Sequence, residues 1–279
     1  MSTLHLVATP IGNLEDISAR ALRVLAEVRL IAAEDTRHTA RLLQHYSIHT
    51  PCLSYHEHNK LARLEQVLAA LEAGDVALVS DAGTPALNDP GFELVRAVLS
   101  AGHQVSPVPG ACAPIAALVA SGLPTDTFLY LGYLPRRQVE RRRLLQSIAA
   151  LPYTLIFLET PHRLLEALHD LSALLGDRQV AVGRELTKLH EEIFRGSLQQ
   201  ALAHFATQPP RGEFTLVIAG HIAAAQPWSE ERLTAVLQQA QGRAEKPAAL
   251  ARRLAAESGW PKNEIYTLLN RLREHPLRD

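Results

Sequence analysis

Asp75-Val-Ala-Leu-Val-Ser-Asp-Ala-Gly-Thr-Pro-Ala-Leu-Asn-Asp-Pro-Gly91 runs a short apolar segment straight into a polar, turn-rich one. Val76 to Val79 shows no alternation of apolar and polar residues, the pattern of a strand covered on both faces of a parallel sheet. Asp81, Gly83, Thr84 and Pro85 follow at its carboxyl end, the edge where open α/β sheets place their ligands. Asp89 reads as a helix N-cap, with Pro90 at the first helical position. The loop thus offers a carboxylate, a hydroxyl and a glycine that lets a ligand approach the backbone, although an ordinary βα turn uses the same residue types.

The same grammar recurs on either side. Leu4 to Ala8 is a predicted strand that leads into Thr9-Pro-Ile-Gly-Asn-Leu14. Leu30 to Ala33 leads into Glu34-Asp-Thr-Arg-His38, and Cys52 to Tyr55 into His56-Glu-His-Asn-Lys60. Val105 to Val108 ends in Pro109-Gly-Ala-Cys-Ala113, whose small residues leave a helix N-terminus open to a ligand. Leu22, Leu25 and Val28, then Leu64, Val67, Leu68 and Leu71, give the intervening helices their apolar stripes. This βα alternation predicts an N-terminal α/β domain over 1–121, ending at Ser121-Gly-Leu-Pro-Thr125.

Residues 122–225 read as a second α/β domain of mixed character. Its predicted strands are Phe128 to Tyr133, Thr154 to Leu158, Val180 to Gly183 and Phe214 to Ala219, with helices near 137–150, 161–174 and 197–207. Pro209-Pro-Arg-Gly212 is a loop. After Gln226-Pro-Trp228 the pattern is helical only, over 229–241, 246–257 and 261–274, with Ser229 as a cap, Gly259 as a stop and Pro261 as a start. This tail, 226–279, fits a helix-turn-helix-like unit and equally a plain helical cap.

Composition narrows the chemistry. Lys plus Arg (28) nearly balances Asp plus Glu (29), so a nucleic-acid partner must be met by a local patch. Cys52 and Cys112 make no disulfide framework and, with no signal peptide or membrane-length apolar run, point to the cytoplasm. None of the 15 glycines lies two residues from another, which removes the dinucleotide fingerprint, and no Walker loop or Gly-x-Ser-x-Gly elbow occurs. His190-Glu191 begins like a zinc-protease helix, but Phe194 stands where the second histidine belongs, and nothing completes a ligand set around His56 and His58, so no metal is expected.

Eight runs in order carry a resemblance: Thr9-Pro-Ile-Gly-Asn-Leu-Glu-Asp-Ile17, Ala33-Glu-Asp-Thr-Arg37, Ser54-Tyr-His-Glu-His-Asn59, Val79-Ser-Asp-Ala-Gly-Thr-Pro85, Pro107-Val-Pro-Gly-Ala111, Glu159-Thr-Pro-His-Arg163, Arg184-Glu-Leu-Thr-Lys188 and Gly212-Glu-Phe-Thr215. Through them the chain resembles the ribosomal RNA small subunit methyltransferase I family of the tetrapyrrole methylase superfamily. Cys112 stands where that family carries a serine. The resemblance implies a two-domain class III methyltransferase fold that binds S-adenosylmethionine between its α/β domains, usually as a homodimer, and methylates a cytidine ribose 2′-hydroxyl in 16S rRNA of the 30S subunit. It implies cofactor contacts from Asp81, Gly83, Thr84, Cys112 and Ala113 at the methionine end, and from Pro10, Leu158, Glu159, Glu213 and Thr215 at the adenine side.

For the proton of the attacking hydroxyl, the matching loops offer Glu34, Asp35, Arg37, His58, Lys60, Glu159, Arg184, Lys188 and Glu191, of which Arg37 and Lys188 are the preferred catalytic pair. Arg136-Arg-Gln-Val-Glu-Arg-Arg-Arg143 holds five arginines in eight residues. Arg136, Arg137, Arg141, Arg142 and Arg143 are therefore candidate phosphate contacts, with a solvated helix face as the competing account. Arg252, Arg253 and Lys262, with Arg271 and Arg273, extend the candidate RNA surface into the tail. Two other readings fit parts of the chain. A tetrapyrrole precursor methyltransferase would need a macrocycle-sized cleft and no arginine run, and a non-catalytic RNA-binding protein would fail to bind S-adenosylmethionine.

Overall fold

The computed structural model describes residues 2–207, 210–222, 228–240 and 246–274, with side chains as far as residue 272. Pro209, Gln226, Pro227, the expected helix end at 241 and the side chain of Arg273 lie outside these. Contacts divide the chain into two units, Met1–His221 and Ile222–Asp279.

The first unit holds two five-stranded sheets. Strands β1 (Thr3–Val7), β2 (Leu30–Ala33), β3 (Cys52–Ser54), β4 (Val76–Val79) and β5 (Gln104–Val108) form a wholly parallel sheet in the order β3-β2-β4-β1-β5. Helices α1 (Ala19–Glu27), α2 (Thr36–His45), α3 (Lys60–Ala73) and α4 (Phe92–Ser100) make the crossovers. The reading of β4 as covered on both faces holds residue by residue: Ala77 and Val79 pack into a core with Val24 and Leu25 of α1, while Val76 and Leu78 pack into another with Val67, Leu71 and Leu94 of α3 and α4. All four are at most 1% exposed, and each fully buried Val or Leu contributes about 1.5–3 kcal/mol relative to exposure.

Asp89 does not cap α4. Gly91 occupies the N-cap position at φ +155°, and the helix begins at Phe92. The loop runs two residues further than expected because Ala86 and Asn88 take left-handed conformations, φ +65° and +67°, which keep the chain turning.

Helix α5 (Ala113–Ser121) leaves the first sheet, and Ala117 and Leu118 pack with Ile156, Ala181 and Val217 on the second. That sheet has the order β6-β7-β10-β8-β9, with β6 (Phe128–Tyr133) parallel to β7 (Thr154–Glu159), and β10 (Phe214–Ile218) antiparallel to both β7 and β8 (Gln179–Arg184). Its edge strand β9 (Glu192–Ser197), antiparallel to β8, is absent from the sequence reading. Glu192, Arg195 and Gly196 interrupt its apolar pattern, as is usual at a sheet edge, where charge discourages further pairing. Helices α6 (Gln138–Ile148), α7 (Leu164–Leu175) and α8 (Leu198–Ala206) cover the other face around Phe157, Leu168, Leu171 and Phe214.

The second unit consists of α9 (Glu230–Ala240), α10 (Pro247–Ser258) and α11 (Lys262–Glu274) around Leu233, Leu237, Leu250, Leu254, Ile265 and Leu269. The Ser229 hydroxyl accepts from the Arg232 N–H, Gly259 ends α10 at φ +69°, and the Ile265 N–H donates to the Pro261 carbonyl at the start of α11. The α10–turn–α11 arrangement is that of a helix-turn-helix-like unit. No described helix is long and apolar enough to cross a membrane.

Candidate active-site cleft

The carboxyl ends of β1, β2, β4 and β5 meet at one edge, and hydrogen bonds fix their loops against one another. Thr9 and Gly83 exchange backbone bonds of 2.9 and 3.0 Å, tying the β1 loop to the β4 loop. Asp81 Oδ1 accepts from the Asp35 N–H at 3.0 Å, and the Asp81 N–H donates to Glu34 Oε2 at 3.2 Å, so these two acidic loops brace each other. The Thr84 hydroxyl donates to the Ala111 carbonyl at 3.2 Å, which holds the turn into α5. Gly110 is required there, because an added Cβ would sit 2.9 Å from Ala8 Cβ.

The second sheet supplies the opposite wall. Pairing of β10 with β7 puts Phe214 beside Glu159 and Thr215 beside Leu158. On β6, a register shift between Tyr130 and Tyr133 turns both rings toward the space between the sheets. Gly132 sits at the shift with φ +64°, and the Asn88 side chain lies where its Cβ would be. The Tyr130 hydroxyl donates to Asn88 Oδ1 at 2.6 Å, linking the β4 loop to the second sheet.

Between the walls lies a cavity of about 220 Å³ lined by Asp81, Gly83, Thr84, Cys112, Ala113, Leu158, Glu159, Glu213 and Thr215, together with Glu34, Asn88, Asp89, Tyr130 and Tyr133. All the residues expected to touch a cofactor converge here except Pro10. That residue instead lines an adjoining cavity of about 520 Å³ with Thr9, Leu14, His38, Arg41, Leu42 and Lys188. Ile11, Asp81, Ala82 and Glu213 belong to both.

Among the described residues no Lys, Arg or His lines the smaller cavity, and its acids feel one another. Burial, reinforced by Glu34, Asp81 and Glu213, pushes the Asp89 carboxyl up to about 6, against a hydrogen bond from Ser80 that favours the charged form. Burial also raises Glu34 and Glu159, the latter opposed by the Thr160 N–H and by Arg163. It pushes the Tyr130 hydroxyl up to about 12. Such a space favours a cationic ligand, which relieves the repulsion among carboxylates. Asp89, Tyr130 and Tyr133 were not among the expected site residues. For the tyrosines, the only sequence signal is that they flank a glycine inside a strand, the mark of a bulge.

The two preferred catalytic residues part company. Lys188 lines the larger cavity, its Nζ donating to Glu185 Oε1 at 2.9 Å and Glu213 Oε2 at 3.0 Å. Burial opposes the charge on this ammonium, yet the two carboxylates outweigh it and hold its pKa above the ordinary lysine value. A lysine so held remains protonated and is not a proton acceptor. Arg37 lines neither cavity: its side chain is 89% exposed and bonds Asp35 through Nη2 at 2.7 Å and Nε at 3.1 Å. Of the five described non-glycine residues with positive φ, Ala86, Asn88, Glu185 and Thr187 lie in the two loops that wall these cavities, and strain of this kind concentrates at functional sites.

The arginine run also divides. Arg136, Arg137, Arg142 and Arg143 are exposed, Arg137 beside Glu140 at 3.3 Å. Arg141 is not available to RNA. It is 1% exposed and bonds Asp170 Oδ2 through Nε and Nη2, both at 2.8 Å, because its position places it on the same helix face as buried Leu145 and Ile148. In the second unit Arg252, Arg253, Lys262 and Arg271 are exposed, Arg253 paired with Glu257 at 3.3 Å.

Comparison with known proteins adds a lineage to this geometry. The tetrapyrrole (corrin/porphyrin) methylase family matches residues 3–202. A Synechocystis protein named ribosomal RNA small subunit methyltransferase I is 50% identical over 271 residues, covering 96% of this chain and 97% of its own. The protein of that name from Pseudomonas aeruginosa is 48% identical, covering 95% of each. One from Thermotoga maritima is 47% identical, and 99% of it covers 79% of this chain. Among solved structures, the methyltransferase CobJ has a TM-score of 0.61 at 18% identity, covering 82% of this chain and 97% of its own. Uroporphyrin-III C-methyltransferase from Thermus thermophilus, complexed with S-adenyl homocysteine, has a TM-score of 0.55 at 20% identity, covering 77% and 97%. These two share the fold of the first unit's paired sheets.

Proposed function

The chain belongs to the ribosomal RNA small subunit methyltransferase I family of the tetrapyrrole methylases, and from that premise we propose that it transfers a methyl group from S-adenosylmethionine to the ribose 2′-hydroxyl of a cytidine at the decoding centre of 16S rRNA. The observation that carries this reading is the cavity between the sheets, which carboxylates line and which no cationic side chain lines among the described residues. Its residues fit the donor. Asp81 has one oxygen engaged by the Asp35 N–H and a second with no hydrogen bond among the described residues, which suits an ammonium group. The N-terminal turn of α5, where no side chain caps the backbone N–H groups, suits a carboxylate. Glu34 and Asp89 supply the negative potential that a sulfonium centre requires.

When bound, S-adenosylmethionine supplies an electrophilic methyl on a sulfonium centre. The protein's part is positional and electrostatic: the braced Glu34–Asp81 loops hold the carboxylate wall in place, and the protonated Lys188 presents a positive charge toward the ribose oxygen, whose proton leaves to solvent. In this scheme Arg136, Arg137, Arg142 and Arg143, with Arg252, Arg253 and Lys262, contact phosphates, and the protein acts in the cytoplasm on the 30S subunit as a homodimer. The domain division at 121 and 225 is part of the same proposal.

The test is to incubate the purified full chain with labelled S-adenosylmethionine and 30S subunits lacking the modification, then locate the label by mass spectrometry. A methyl on the ribose of one 16S cytidine is the expected result. Label on a base, or none on RNA while a tetrapyrrole precursor accepts it, would overturn the proposal.

A further inference from the structure

The two cavities differ in chemistry although they share a wall. The charged residues described around the smaller are all acidic, whereas the larger adds His38, Arg41 and Lys188 to the shared Asp81 and Glu213, beside the apolar surfaces of Pro10, Leu14 and Leu42. Resting on the methyl-transfer reading above, we propose that the larger cavity is the acceptor site, which receives the target nucleotide with a phosphate on Arg41, the base against Pro10, Leu14 and Leu42, and the sugar at the common wall.

Four observations support this. A transfer between two bound molecules needs adjoining sites, and Ile11, Asp81, Ala82 and Glu213 face both spaces. The charges suit the two molecules: carboxylates for a sulfonium donor, and Arg41, unlike the doubly paired Lys188, for a phosphodiester. Arg41 lies one helical turn beyond Arg37, but where Arg37 is paired with Asp35, the Arg41 guanidinium meets no carboxylate among the described residues. It is therefore a cation at the rim with no carboxylate partner among the described residues.

The fourth observation is the construction of the rim. The Asn13 N–H donates to Thr187 Oγ1 at 3.0 Å, and an added Cβ on Gly12 would come 2.5 Å from Lys188 Cγ. The β1 loop and the loop holding Thr187 and Lys188 thus meet at closest approach, which fixes Lys188 at the cavity's edge. Pro10 then belongs to the acceptor side rather than to the donor's adenine, in keeping with its absence from the smaller cavity.

Two substitutions test this in the full chain. Arg41→Ala removes the proposed phosphate contact, and Leu14→Trp fills the proposed base site; for each, calorimetry measures S-adenosylhomocysteine binding, and kinetics with unmodified 30S subunits measures the acceptor. The expected results are cofactor affinity within about twofold of wild type for both. For Arg41→Ala the KM for 30S rises about tenfold and the slope of log KM against log salt falls by about one unit. For Leu14→Trp, kcat/KM falls on the order of 100-fold.

An unchanged KM and salt slope for Arg41→Ala overturns the proposal. So does a loss of cofactor affinity in Leu14→Trp that matches its loss with 30S, since the cavity would then hold part of the donor. Should the tryptophan variant not fold, Arg41→Ala decides alone. If the wild-type chain binds S-adenosylhomocysteine yet methylates no rRNA, the proposed function fails and this inference with it, a result visible before any variant is made.

Discussion

Asp170→Asn isolates the one arginine of the charged run that faces inward. Arg141 and Asp170 are each 1% exposed and share contacts of 2.8 Å. Asparagine preserves the volume and one acceptor oxygen but removes the charge, leaving a buried guanidinium whose remaining salt-bridge partner among the described residues is Glu166, at 3.6 Å and 73% exposed, with Glu159 as a more distant counter-charge. Removing one partner of a buried pair costs about 3–5 kcal/mol, and the retained amide oxygen with Glu166 places this case near the lower end, about 3 kcal/mol. For a unit of this size each kcal/mol lowers Tm by about 2–4 °C, so the expected drop is about 6–12 °C. Urea unfolding and thermal melting measure both. The double variant R141M/D170L, which removes the buried charges together, should recover much of the loss, since apolar residues of similar size replace such pairs at little cost. A single variant that loses less than about 1 kcal/mol, or a double variant as unstable as the single, would refute the reasoning.

Asp89 predicts a pH dependence. Its folded pKa, about 6, lies above that of an unfolded aspartate, so the folded chain holds a proton that the unfolded chain releases; the associated stability is present at low pH and lost as pH rises through about 6. Asp89→Asn should therefore stabilise the ligand-free protein by about 1 kcal/mol near neutral pH, after allowance for partial exposure, and hardly at all below about pH 4. Equal gains in urea unfolding at both pH values would contradict the acidic-cluster account. Gly132→Ala forces alanine into φ +64° and displaces Asn88 from its bond with Tyr130. It should cost about 2–3 kcal/mol of stability and weaken S-adenosylhomocysteine binding measured by calorimetry, whereas no change in either would show that the link does not hold the cleft. Replacing Arg136, Arg137, Arg142 and Arg143 together by alanine should reduce the salt slope of 30S binding by about three units while costing no more than about 1 kcal/mol of stability from the lost Arg142–Asp170 and Arg137–Glu140 contacts, and an unaltered slope would assign these residues to the solvated face.

Much of this architecture was legible because it depends on local chemistry. Val76 to Val79 reads as a doubly covered strand since nothing in it can face water, and the polar loops after each parallel strand mark one edge of the sheet whatever the tertiary detail. Local chemistry marked Asp81, Thr84 and Cys112, whereas Glu213 and Thr215, more than a hundred positions away, were reached only through the family resemblance, and the structure puts all five around one cavity. What escaped depends on packing between distant segments. Asp89 looks like a cap until Gly91 takes the turn, and its carboxyl then becomes part of the cleft wall. Arg141 is indistinguishable by charge from Arg142, and only the helix face shared with Leu145 and Ile148 buries it. Strand β9 lacks an apolar pattern because it sits at an edge. Pro10 follows a strand like its neighbours, yet it lines the adjoining cavity rather than the one bounded by Thr84, Cys112 and Thr215.

We place the methyl donor between the two sheets, against carboxylates and turn backbone. A crystal structure of the full chain with S-adenosylhomocysteine decides this. The product is expected in the cavity bounded by Asp81, Cys112, Leu158 and Thr215, with its amino group at Asp81. Density in another part of the molecule, or a cavity closed by Tyr130 and Tyr133 with the ligand excluded, would contradict it.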